Sequence, residues 1–215
     1  MSLKNPVVPK RIRSELVRAL PSLYQFLRNN PQVGVHHRDI QRLQVQLWLP
    51  VYVGTLEHPK PKRKEVKPKL RLSTKRVAWL CFLKTRKGVN AALEFKAEKS
   101  RSVQHQFQQG DPIRKTFAHV KAARRSPRLK RASYTARLLN IPGLYFNGLW
   151  LRSASRELYV SLVRVGNELR AGHFYTRSEI VEALKDELTR RKEAHRVILA
   201  RKREVANATE DETSR

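Results

Sequence analysis

Residues 112–156 contain 11 Lys or Arg and not one Asp or Glu. Two groups of cations stand out by their spacing. Arg114, Lys115, Lys121, Arg124, Arg125, Arg128, Lys130 and Arg131 form one group inside that acid-free stretch. Lys60, Lys62, Arg63, Lys64, Lys67, Lys69 and Arg71 form the other, with Pro61 and Pro68 among them. Ammonium and guanidinium groups at this density, without carboxylates to quench them, do one kind of chemistry well: they donate hydrogen bonds to a row of phosphates. The prolines keep the first group extended, as following a phosphate backbone requires. The chain of 215 residues has a formal net charge of +28, of which residues 1–156 carry +27 and residues 157–215 only +1. A folded body with that excess repels itself and gathers counterions, so a polyanion is the expected partner. Nucleic acid fits. RNA within a ribonucleoprotein fits better than DNA, because extended basic loops reach phosphates of folded RNA that a rigid surface does not. A DNA-binding accessory protein is the nearest alternative.

Other reactive residue types give less. His36, His37 and Asp39 are the only local grouping with acid–base or metal-binding character. Adjacent histidines point apart on a strand or helix, and no Glu or Cys stands near to complete a ligand set, so a nuclease reading would rest on these three alone. No phosphate-cradling Gly-rich loop, Gly-x-Ser-x-Gly or dinucleotide fingerprint occurs, so no catalysis, metal or cofactor is expected. Cys81 is the single cysteine, which rules out an intramolecular disulfide and fits a reducing compartment such as the cytoplasm. The first 38 residues hold one acid, Glu15, among Lys4, Lys10, Arg11, Arg13 and Arg18. That overlaps the pattern of a transit peptide and makes the mitochondrial matrix the alternative location. No apolar run approaches the ~20 residues that crossing a bilayer needs.

The elements that must position these groups are legible in the apolar spacing. Ile12, Leu16, Ala19, Leu23 and Leu27 predict an amphipathic helix over residues 10–29, kinked or split at Pro21. Leu43, Val45, Leu47, Leu49, Val51 and Val53 alternate with Gln44, Gln46, Trp48, Pro50 and Tyr52, a strand that Pro50 assigns to a sheet edge. A basic connector over 60–76 leads to residues 77–83, apolar on both faces as a central strand should be. Lys87-Gly88 then turns the chain into an outer strand over 89–97. The Gln-rich piece that follows is compatible with a helix. Asp111-Pro112 opens a basic helix through about Arg125, with Ile113, Phe117 and Val120 inward and Arg114, Lys121 and Arg125 along a neighbouring stripe. Residues 126–142 read as a basic connector. Beyond it, two strands turn at residues 153–155, with Leu144, Phe146, Trp150, Leu158, Val160 and Leu162 on one parity. Tyr145 and Tyr159 fall on the other, where they would offer stacking platforms to unpaired bases. A turn at Asn147-Gly148 is the competing register.

Thr176 and Glu179 form a capping box that opens a helix with Ile180, Leu184 and Leu188 on one face, continuing to about residue 206. Its stripe fails at Arg191, so the distal half should project and could hold a protein partner, the basis of an adaptor reading for the hairpin and this helix. The fold class is therefore α+β: antiparallel strands and hairpins with an amphipathic N-terminal helix, a central basic helix and a long C-terminal helix. The chain divides into a helix and three-stranded unit over 1–110, a basic helix and connector over 111–142, a hairpin and long helix over 143–206, and a disordered acidic tail over 207–215. Helix, three antiparallel strands and helix resembles the element order of a double-stranded RNA-binding domain. Neither that family's Gly-Pro-x-His loop nor its Lys-Lys-x-Ala-Lys helix start occurs here, and order alone implies no function.

Overall fold

The computed structural model describes residues 3–30, 44–57, 70–85, 88–97, 103–129 and 132–213. Helix α1 (Lys10–Asn29) buries the expected stripe of Ile12, Leu16, Ala19, Leu23 and Leu27. Pro21 lies inside it without splitting it. The carbonyl that Pro21 leaves unbonded belongs to Val17, an exposed residue, so water can satisfy it.

Eight strands form one sheet in the order β4-β3-β2-β1-β5-β6-β7-β8. The first meander is β1 (Gln44–Glu57), β2 (Arg71–Thr85), β3 (Gly88–Ala97) and β4 (Val103–Gln109). Helix α2 (Asp111–Arg125) then carries the chain back to the sheet centre. The second meander is β5 (Thr135–Ile141), β6 (Phe146–Arg152), β7 (Glu157–Ser161) and β8 (Phe174–Tyr175), and α3 (Arg177–Thr213) follows it. β1 and β5 pair in parallel from Val51 opposite Leu138 to Val53 opposite Asn140, and every other strand pair is antiparallel. The class is α+β, with three helices on a mixed sheet.

Six expectations are corrected. β1 is central, not an edge. Pro50 stands opposite Trp79 and one residue before the ladder to β5, where no bond requires its missing N–H. β3 is likewise not the outer strand, because the Gln-rich piece forms β4 against it, with Gln108 Nε2 donating to Glu94 at 2.6 Å across the pair. The segment 71–76 belongs to β2, and the second half of the connector before residue 142 is β5, whose Ala136, Leu138, Leu139 and Ile141 are buried on two faces. The hairpin turns at residues 153–156, where the Arg156 N–H donates to Ser153 Oγ at 2.9 Å, but its register sets Trp150 opposite Tyr159. That one-residue difference swaps the parity of β7, so Tyr159 joins Trp150 and Val160 faces the other way. Gly148 lies mid-strand because the Phe146 ring folds over it, leaving only 2.5 Å to a would-be Cβ. Finally, α3 runs to Thr213, through the tail expected to be disordered, since no Gly or Pro stops it.

The sheet is covered on both faces. α2 lays Ile113, Val120 and Ala123 on Leu49, Leu80, Phe82, Leu149 and Val160. On the opposite face, α1 covers Trp79, Cys81, Leu93 and Phe95, while the first turns of α3 bring Ile180, Ala183 and Leu184 onto Leu139, Phe146, Trp150 and Tyr159. Leu3 packs in the first of these cores and Val8 in the second, so the segment before α1 passes around the end of the sheet.

Candidate nucleic-acid interface

Lys60, Lys62, Arg63, Lys64, Lys67 and Lys69 lie outside the described residues, as do Lys130, Arg131, His36, His37 and Asp39. Arg71 opens β2 opposite Glu57, away from the rest. The other predicted cations sit on α2, whose apolar stripe must face the sheet and so turns Arg114, Lys115, Lys121, Arg124 and Arg125 outward. Arg114 is paired with Asp111 one turn back. Arg124 Nη2 donates to Asn5 Oδ1 at 2.9 Å, which ties α2 to the segment before α1, and burial lowers its pKa from the ordinary guanidinium value. Lys121 and Arg124 share a cleft of about 350 Å³ with Lys84. Arg128, in a short 3-10 turn (Pro127–Leu129), holds its guanidinium 5.7 Å from the Phe174 ring centroid. Among the described residues, Lys115, Lys121, Arg125 and Arg128 have no carboxylate partner.

A second basic locus was hidden from sequence reasoning. The Lys4 N–H donates to the Tyr134 carbonyl at 2.8 Å, which lays residues 3–5 beside the start of β5. Lys4, Arg137 and Arg152 thereby line one cleft of about 440 Å³ together with Ser133, Thr135, Ser153 and Ser155. Arg137 Cζ lies 4.5 Å from the Trp150 ring centroid and 5.2 Å from that of Tyr52, whose ring stands edge-on to Trp150. Arg76 joins this face from β2, 5.6 Å above Trp79. Among the described residues the acid paired here, Glu157, is shared by Arg152 at 3.6 Å and Arg177 at 3.7 Å. Across the β6–β7 turn, Arg156 and Arg128 border a further cleft of about 440 Å³ with Tyr134. Arg128 and Arg124 of the predicted group thus reach the same end of the sheet as Arg137 and Arg152. The apolar pairs Ala136/Leu138 and Leu139/Ile141, one on each parity, would have revealed β5 as a strand buried on both faces, but no local signal places Arg137.

The two tyrosines part company. Tyr159 is 2% exposed, its ring is parallel to Trp150 at 6.4 Å, and its hydroxyl donates to Glu157 at 3.3 Å. No base can reach it, and the expectation of stacking fails there because the hairpin register turns it into the core. Burial, and then the Glu157 charge, raise its pKa. Tyr145 is 75% exposed in the turn before β6, in left-handed conformation at φ 50°, with the Arg191 guanidinium 4.6 Å from its ring. Cys81 is fully buried and its thiol is pushed up to about 12 by that burial, so it is unreactive.

Among the described residues, no group of three or more His, Cys, Asp or Glu is placed to hold a metal, and no helix is long and apolar enough to cross a membrane. Comparison with known families, curated proteins and solved structures finds no match to the chain.

Proposed function

We propose that this protein binds nucleic acid without catalysis, RNA within a ribonucleoprotein rather than DNA, through Lys and Arg contacts to phosphate. The observation that carries the reading is a contrast between helices. Lys115, Lys121 and Arg125 of α2, with Arg128 beyond it, are exposed and make no ion pair among the described residues, Arg128 only feeling the Glu179 charge, whereas Lys185, Arg190 and Arg191 in the packed part of α3 are each paired with a Glu. Cations left unmatched on one side of a fold carrying +28 are best satisfied by an external polyanion. The basic band around the β6–β7 turn extends the same surface.

Affinity for single-stranded RNA should fall steeply with salt, with a log–log slope of about −0.7 for each phosphate neutralised. Charge reversal at Lys121, Arg125 and Arg128 should weaken binding to all sequences alike and make that slope shallower. Fluorescence anisotropy across a salt series checks both. Binding that ignores salt, or no binding to RNA or DNA at low salt, overturns the reading. The distal part of α3, where Val197, Ile198 and Leu199 are exposed, supports a protein contact as a second and separate role.

A further inference from the structure

We infer that the cleft between residues 3–5, β5 and the β6–β7 turn is a phosphate-binding site in which Arg137 fixes the position of the ligand. The inference rests on the nucleic-acid reading only for the source of the phosphate. Three cations, Lys4 from the segment before α1 and Arg137 and Arg152 from the paired strands β5 and β6, converge on this cleft, and among the described residues no Asp or Glu lines it. Hydroxyls of Ser133, Thr135 and Ser155 complete the lining, while Ser153 is already engaged with the backbone of Arg156. The one carboxylate next to the cleft among the described residues, Glu157, is divided between Arg152 and Arg177, which leaves the locus cationic.

Arg137 is the distinctive member. Arg76 and Arg128 each lie over a single ring, Trp79 and Phe174, but among the described residues this guanidinium is held between two rings, Trp150 and Tyr52. Cation–π contacts fix the plane without consuming the N–H donors. Among the described residues Arg137 makes no hydrogen bond and no ion pair, although it is partly buried. Its donors still reach the open cleft and are free to bond a ligand there, and a planar fork in a cationic, hydroxyl-lined cleft is matched by a tetrahedral oxyanion. Phosphate suits it better than a carboxylate, because the cleft offers donors from several directions and a carboxylate presents only two oxygens in one plane. The phosphate is either a phosphodiester of a nucleic acid or the terminal group of a phosphorylated small molecule.

The test follows the arginine Nε–H signals of the ¹⁵N-labelled full chain, with Arg137→Gln assigning the Arg137 signal. Inorganic phosphate and a single-stranded oligouridylate are titrated separately. The Arg137 signal should move with both probes, and Arg137→Gln should weaken oligouridylate binding about tenfold. Arg152→Gln, on an exposed side chain of the same cleft, should weaken it in the same direction, so the result does not depend on how well the Arg137 variant folds. An Arg137 signal that neither probe moves overturns the site, even where the oligonucleotide binds elsewhere on the protein. Movement with inorganic phosphate in a protein that binds no nucleic acid at low salt sustains the site for a phosphorylated small molecule and overturns the nucleic-acid reading instead.

Discussion

Trp150 shows how one side chain links core and surface. It packs between Tyr52 and Tyr159 at 6% exposure, carries Arg137 on its face, and its Nε1–H is the one buried side-chain donor or acceptor without a partner among the described residues. An unmade hydrogen bond of this kind costs about 1–3 kcal/mol. Trp150→Phe removes that cost together with some packing, keeps a ring beneath Arg137, and should change stability by no more than about 1 kcal/mol. Trp150→Ala should cost about 3–5 kcal/mol, because nothing then fills the space over Phe146 and Tyr159. Chemical denaturation of the two variants separates these outcomes. A Phe variant destabilised as much as the Ala variant would mean that Nε1 is bonded in solution.

At the scale of elements, α3 has a well-made start and an unsupported end. The Thr176 backbone N–H donates to Glu179 Oε2 at 2.6 Å and the Glu179 N–H donates to Thr176 Oγ1 at 3.3 Å, a reciprocal capping box. The bond from the Thr176 N–H, and next that from its hydroxyl, hold the Glu179 carboxyl below its ordinary value. A depressed carboxyl contributes stability that is present above the unfolded-state value and is lost as pH falls through the folded-state value. Loss of the N-cap hydroxyl in Thr176→Ala should cost about 1 kcal/mol at neutral pH. The gap between wild type and Glu179→Ala should close as pH drops below the ordinary carboxylate range. Thermal melts from neutral to acid pH read both effects. A gap that stays constant with pH would show that Glu179 acts through packing and not through its charge.

Over the whole molecule, charge and packing are divided unequally. α3 is 37 residues long, roughly 55 Å at 1.5 Å per residue, yet its packing ends near Leu188 and Arg191, and residues 192–200 are exposed. Among the described residues, cations without an ion pair include Lys115, Lys121 and Arg125 on α2, Arg128 beyond it, and Lys4, Arg137 and Arg156 at the end of the sheet. Ending the chain after Lys192 keeps Arg191 over Tyr145 and should leave the fold intact. Nucleic-acid affinity should then stay within about twofold, since the removed residues 193–215 carry five Lys or Arg against five Asp or Glu. Any copurifying protein should be lost. Anisotropy and denaturation of the truncated chain test this, and a folded truncation that no longer binds nucleic acid would place the contact on the distal helix.

The local signals in the sequence settled a good part of this fold. The stripe from Ile12 to Leu27, the two-sided apolar run of β2, the Asp111-Pro112 start of α2 and the Thr176/Glu179 box depend on periodicity and caps that act within a few residues, so they survive any tertiary context. The excess of +28 is likewise a property of composition. What the tertiary structure alone decided was which residues meet across the sheet. An extra residue in β2, where Val51 faces Ala78 but Tyr52 faces Arg76, puts Arg76 on the face of Tyr52. The odd register of β6 and β7 buries Tyr159 beside Trp150, and the parallel pairing of β1 with β5 brings Arg137 to Tyr52. A strand of period two carries no record of its partner, so one residue of register moves a side chain from surface to core, and only the assembled sheet fixes which it is.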